Sequence, residues 1–268
     1  IATGYFTQAN MPVMLSGVYQ NNNIVATNNS FLYGNGAQIA NATQAWNTTL
    51  NDNEDISVGT NQDYTGDGHD GKIVEVIHYP WALSATERQK VETYLAIKYG
   101  LTQSHDYLAG DGTNIFSANG AGGANEFDSN IGGIGRDDCQ GLNQKQSSSV
   151  NPGFQPTIAL TSLDTTNIAN TNVFPQDKSF MIWGSNTGAT TFGTSITAPA
   201  SISANNRMNR IWQVQENVNA VGSVKFAFPK GIIGNGGIVY LVTSNDTIFD
   251  ATDTWKPLTS LTVGSSKY

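Results

Sequence analysis

Residues 71–101 read GKIVEVIHYPWALSATERQKVETYLAIKYGL, and this stretch decides how the rest of the chain is read. Lys72 to Tyr79 is β-branched and apolar on both faces, the pattern of a strand covered on both sides. Pro80 has no N–H to donate and ends any ladder there. Ser84 and Glu87 then make an S-x-x-E capping box. Gly100 stands where a left-handed residue would close a helix. The spacing predicts a helix over 83–100, with Val91, Tyr94, Leu95 and Tyr99 as its apolar stripe.

On either side of this helix the chain reads as short strands between polar turns. Val13 to Tyr19, Phe31 to Tyr33 and Ile56 to Val58 precede it, with Gly34-Asn35-Gly36 as a tight-turn signal. After a loop-rich connection over 101–130, strands are expected at 157–160, 179–183, 209–215, 223–228 and 238–243. Residues 210–215 (RIWQVQ) and 223–228 (SVKFAF) alternate with period two, as antiparallel strands with one wet face do. Strands at this spacing without intervening helices indicate a sandwich.

The composition narrows the function classes. Of 268 residues, 38% are hydrophobic and only 13% charged, the latter about half the usual share. Asn, Thr, Ser and Gly fill the gap, a balance that leans extracellular. Net charge is −8 with a pI near 4.7, and the Lys and Arg residues form no patch. Nucleic acid and anionic membrane surfaces are therefore not expected partners. No segment has the roughly 18 apolar residues of a membrane span. Ile1-Ala2-Thr3-Gly4 does not open a signal peptide, and the chain reads as a piece of something longer. Cys139 is the only cysteine, so neither an internal disulfide nor a Cys-based zinc site is expected.

Several motifs together resemble a known arrangement. Residues 71–102 resemble the closing strand and trailing helix of a laminin-G/concanavalin-like domain of bacterial surface proteins and adhesins. Tyr107–Thr113 (YLAGDGT), Asn130–Asp138 (NIGGIGRDD), Gly141–Ser147 (GLNQKQS), Phe180–Asn186 (FMIWGSN) and Arg207–Glu216 (RMNRIWQVQE) resemble the uncharacterised β-domain that follows such a helix. The resemblance implies a mainly β fold of two sandwich units, a partial concanavalin-like jelly roll and then an Ig-like sandwich, joined by one helix. Residues 1–82 correspond to the C-terminal part of the first sandwich, 83–105 to the helix and linker, and 106–268 to the second. A half sandwich would expose its inner face. Its missing strands come either from upstream residues or from a neighbouring chain.

Candidate sites follow from residue chemistry. Asp63, Asp67 and Asp70 lie in the Asp/Gly-rich run 63–71 (DYTGDGHDG), where carboxylates and carbonyls would converge on calcium. The run lacks the closing Glu of an EF-hand, and its plainer reading is a solvated loop. Asp137 and Asp138 are a second calcium candidate, against a structural pair in which Arg136 bridges a carboxylate. Asp246, Asp250 and Asp253 read as a solvated loop. Trp46, in a polar context, is the candidate for stacking on a ligand, whereas Trp183 and Trp212 alternate into strands and are expected in the core. Gly132-Gly133-Ile134-Gly135 matches no phosphate-binding spacing. No nucleophile elbow and no paired-carboxylate pattern indicates an enzyme. The sequence thus predicts a non-catalytic extracellular module of a bacterial cell-surface protein, a spacer or ligand-presenting domain within a larger protein. The alternatives are a calcium-dependent module for glycan or peptide and a filament subunit completed by strands of its neighbours.

Overall fold

A computed structural model describes residues 11–20, 29–43, 58–59, 68–118, 126–232, 237–246 and 248–268. The chain is mainly β, with several antiparallel sheets and a single α-helix among the described residues. The first sheet is a meander of β1 (Leu15–Tyr19), β2 (Ser30–Gly34) and β3 (Ala37–Ala42). Asn35 and Gly36, both at positive φ, make the β2–β3 turn that the sequence signalled. The predicted strand at 56–58 falls largely outside the described residues.

The helix α1 spans Ala85–Tyr99. Ser84 Oγ accepts from the Glu87 N–H, and Glu87 reaches back to the Ser84 N–H, so the capping box is complete. Gly100 closes the helix at φ 67°, and a Cβ there would run into the Ser148 carbonyl. The buried face differs from the predicted stripe. Glu92, Thr93, Ala96 and Ile97 are buried, while Tyr94, Leu95 and Tyr99 are only partly covered. The helix lies on a glycine-rich strand, whose Gly133 leaves room for Ile97, while Glu92 and Thr93 are buried in hydrogen bonds.

That strand is β6 (Ser129–Asp137), reached through the short β4 (Tyr107–Leu108) and β5 (Asn114–Phe116). The chain continues through β7 (Leu142–Gln144), β8 (Gln146–Ser148), β9 (Thr157–Leu160) and β10 (Ser179–Ser185). Next come β11 (Phe192–Ser195), β12 (Asn206–Met208), β13 (Trp212–Val218) and β14 (Val224–Ala227). The hairpins β15 (Tyr240–Thr243) with β16 (Thr254–Pro257), and β17 (Thr262–Val263) with β18 (Ser266–Lys267), follow.

Two of the sheets face each other. One has the order β13-β10-β6-β7 and the other β14-β9-β8. Along β10, Met181 and Trp183 point into the core between the sheets with Ile134, Ile158, Leu160 and Phe174. Phe180 and Ile182 point to the opposite face, where Ile97, Tyr107, Ile115 and Phe116 pack. The four-stranded sheet is thus covered on both sides, and α1 is a third layer on it as well as a connector. Only Lys145 separates β7 from β8, so the chain steps from one sheet to the other there and closes that side of the sandwich. On the opposite side β13 and β14 are both edge strands.

The N-terminal sheet meets α1 through a polar joint. Glu92 is 1% exposed and takes both Arg88 Nη1 contacts, His105 Nε2 at 2.6 Å and the Ser16 hydroxyl. The Arg88 guanidinium lies 3.6 Å from the centre of the Tyr33 ring, a cation–π contact. Burial raises the Glu92 pKa, but the His105, Arg88 and Ser16 hydrogen bonds outweigh it and hold the carboxyl below its ordinary value.

Residues 72–79 carry no strand, although their pattern predicts one. Val74 and Val76 are 68% and 60% exposed, and no ladder partner lies among the described residues. A β-branched run forms a strand only when another strand accepts its hydrogen bonds. Here the segment is held instead by Glu75, which accepts from Tyr94 Oη, Lys98 Nζ and Tyr99 Oη at 2.8–3.0 Å. Burial opposes ionisation of Glu75, but the Lys98 and tyrosine hydrogen bonds prevail and lower its pKa.

Candidate functional site: an aromatic cleft

The calcium candidates do not come together among the described residues. Asp63 and Asp67, like Trp46, lie outside those residues, and Asp70 is exposed. Asp137 is fully buried, but Lys178 Nζ sits 2.5 Å from its Oδ1, and the Gly110 and Cys139 N–H groups donate to its two oxygens. Asp138 accepts two bonds from the Arg136 guanidinium, at 2.8 and 2.7 Å. This is the structural pair, ordering the turn after β6. Asp106 accepts from Asn114, Asp111 from the Thr113 N–H, and Asp250 from Thr252. Among the described residues no three His, Cys, Asp or Glu side chains form a group able to hold a metal ion.

The open side of the sandwich holds a cavity. A cleft of about 980 Å³ lies between the facing sheets and the β15–β16 hairpin. Its inner wall follows from the register. Trp212 and Val214 lie opposite Ser185 and Trp183 on the neighbouring strand and share the core-facing side of the sheet. The short three-stranded sheet stops before it covers them. Phe226 and Phe228 on and after β14, with Phe154, complete this wall. Phe154, Trp212 and Phe228 form a triad with ring centroids 5.6 to 6.2 Å apart. Tyr240 and Trp255, 6.1 Å apart across the β15–β16 ladder, form the outer wall.

A few polar groups punctuate this apolar surface. The indole N–H groups of Trp183 and Trp212 are both buried and without a hydrogen-bond partner. Both nitrogens are closed off from the cleft, and that of Trp183 lies beside Gly132 of β6. Arg207 lies 5.2 Å from the Phe249 ring, and Arg210 donates to the Gly188 and Phe154 carbonyls. Neither arginine is paired with a carboxylate among the described residues. Aromatic walls with a few convergent donors are the common make-up of a ligand site.

The sequence placed Trp183 in the core, and it is there, fully buried. Trp212 packs against the same core while lining the cleft. That Trp212 shares a cleft with Tyr240 and Trp255 was missed, because β13 pairs with neither β15 nor β16. The one sequence signal was the clustering of aromatic residues in 212–255.

No curated protein and no solved structure matches the chain. A family match spans residues 87–267, taking in all but the first two residues of α1 and every strand from β4 onward. On that match the chain belongs to the family described as a domain of unknown function, DUF8202.

Proposed function

We propose that this chain is a non-catalytic extracellular module of a bacterial cell-surface protein that binds and presents a ligand in the aromatic cleft. The observation that carries the reading is the aromatic lining of the cleft, with Phe154, Trp212 and Phe228 on one wall and Tyr240 and Trp255 on the other. A spacer with no ligand has no use for such a surface. The extracellular setting rests on the low charge content and the excess of Asn, Thr, Ser and Gly.

The test is a glycan and peptide array probed with the whole chain, in calcium and again in EDTA, beside the Trp212→Ala variant. The expected result is a ligand retained by the wild type and lost by the variant. A hit that also disappears in EDTA assigns calcium to the module and directs mutagenesis to Asp63, Asp67 and Asp70. A folded wild type that retains nothing, or a ligand bound equally by Trp212→Ala, overturns the reading.

A further inference from the structure

The cleft is bordered by an unpaired strand edge, and this narrows the kind of ligand. β14 pairs with β9 on one side, and no described strand pairs with its other side. The Thr161 N–H donates to the Ser223 carbonyl, which sets the phase of the ladder. In an antiparallel pair every second residue exchanges its main-chain bonds with the partner. Lys225 and Ala227 therefore turn their N–H and C=O toward β9, and Val224 and Phe226 turn theirs outward. Their side chains point into the core with Trp212 and Trp183. The β15–β16 hairpin does not fill this edge. A hollow of about 130 Å³, bordered by Phe226 and Phe228 on one side and by Val239 and Leu258 on the other, separates the two.

Charge adds a second constraint. Arg207 and Arg210 line the cleft and Lys225 and Lys230 the adjoining hollow, against Glu126 and Asp246 alone. This gives a local balance of +2 on a chain whose net charge is −8. None of the four cations is in an ion pair among the described residues.

We propose that the open edge of β14 and the cleft beside it take an extended acidic peptide as an added strand. The inference rests on the cleft being a binding site. Main-chain hydrogen bonds to Val224 and Phe226 would hold the peptide, and its alternate side chains would enter the cleft against Trp212 and Trp255. Its carboxylates would meet the cations that have no carboxylate partner among the described residues. A glycan would use the rings but would leave the strand edge unpaired, which is why a peptide fits better.

The test uses a fluorescein-labelled ten-residue peptide alternating valine with aspartate and threonine, and fluorescence anisotropy with the whole chain. The expected result is saturable binding that weakens with salt. Methylating every second amide nitrogen of the peptide should weaken it at least tenfold in one phase of the alternation and little in the other. Val224→Pro, which removes an outward N–H and spares the β9 ladder, should weaken binding by a similar factor. The methylated peptides need no variant, so the test survives if Val224→Pro does not fold. Equal binding of both methylated peptides overturns strand addition. A glycan that binds in a Trp212-dependent way while the peptide does not overturns this inference and leaves the proposed function standing. Self-association of the chain that the peptide does not displace identifies a second copy as the occupant and also overturns it. Binding of nothing by folded protein removes both readings.

Discussion

Gly132 of β6 lies directly across the ladder from Trp183 of β10, and a Cβ at 132 would come within 2.7 Å of the indole Cζ2. The next pair repeats the relationship, with a Cβ at Gly133 coming 2.5 Å from Ile182 Cδ1. The glycines give up their side chains so that the large residues of β10 can pack on both faces of one sheet. Trp183 is sealed on all sides and cannot step aside. Gly132→Ala is therefore expected to destabilise the chain by about 1–3 kcal/mol. The effect would be read as a lower urea midpoint at unchanged slope. Gly17→Ala is the control. Nothing lies within 4 Å of a Cβ there, and the change should stay within about 0.5 kcal/mol.

The same glycines show what a sequence hides. Helix signals are local, so Ser84, Glu87 and Gly100 marked α1 to within two residues. β9 and β10 were legible from their own apolar residues. β6 was not, because three glycines in nine residues suppress any periodicity, and their reason lies in a strand more than forty residues away. The run 72–79 erred the other way. It has a strand's pattern, but no partner pairs with it among the described residues, and a strand is a property of two segments. The cleft was hidden for the same cause. Trp212 and Trp255 line one cleft only because the sandwich is left open on one side.

The capping box ties α1 to its start. Ser84→Ala removes the acceptor for the Glu87 N–H and leaves the Glu87 carboxylate without its hydroxyl donor. The expected loss is about 1 kcal/mol by chemical denaturation. Ser84→Asp should restore most of it, since aspartate caps equally well and places a negative charge at the positive end of the helix. A Ser84→Ala variant as stable as wild type would show that the helix start is held by tertiary packing alone.

Glu92 makes the joint between α1 and the N-terminal sheet sensitive to acid. Its pKa when folded lies below the ordinary 4.5. The folded state therefore binds the proton less readily than the unfolded state. The resulting stability is complete above about 4.5 and is lost as the pH falls through the lower folded value. Glu75 shifts in the same direction, so the contribution of Glu92 is read as a difference between variants. Glu92→Gln should lower stability at pH 7 and flatten the acid limb of the profile. Parallel profiles for Glu92→Gln and wild type between pH 6 and pH 3 would remove Glu92 from the account.

Asp137 and Lys178 link the end of β6 to the residue before β10. Lys178 is desolvated, yet the bond to Asp137 raises its pKa above the ordinary lysine value. Asp137→Asn keeps the shape but takes away the charge facing the ammonium. Breaking one partner of a buried pair costs about 3–5 kcal/mol, and Lys178 keeps some access to water, which places the expected loss at the lower end. Because Lys178 already occupies this carboxylate, millimolar calcium should shift the melting temperature of wild type and Asp137→Asn alike. A calcium-induced rise present in wild type and absent in Asp137→Asn would instead make Asp137 a ligand.

The aromatic triad beside the cleft is the last element with a measurable signature. Trp212 stands edge-on to Phe228 at 5.8 Å, and Phe154 stacks on Phe228 at 5.6 Å. Such pairs contribute about 0.5–1.5 kcal/mol beyond the area they bury. A double-mutant cycle of Trp212→Ala and Phe228→Ala should return a coupling in that range. The cycle also separates a binding surface from a packing surface. If the rings serve mainly to bind, ligand affinity will fall in each single variant by more than the stability change accounts for. If they serve mainly to pack, the coupling will appear in the unfolding free energy, and the affinity of the remaining folded protein will not change. The half-buried state of Trp212 and its place in the cleft wall favour the first outcome, because a ring placed only for packing would be sealed, as Trp183 is.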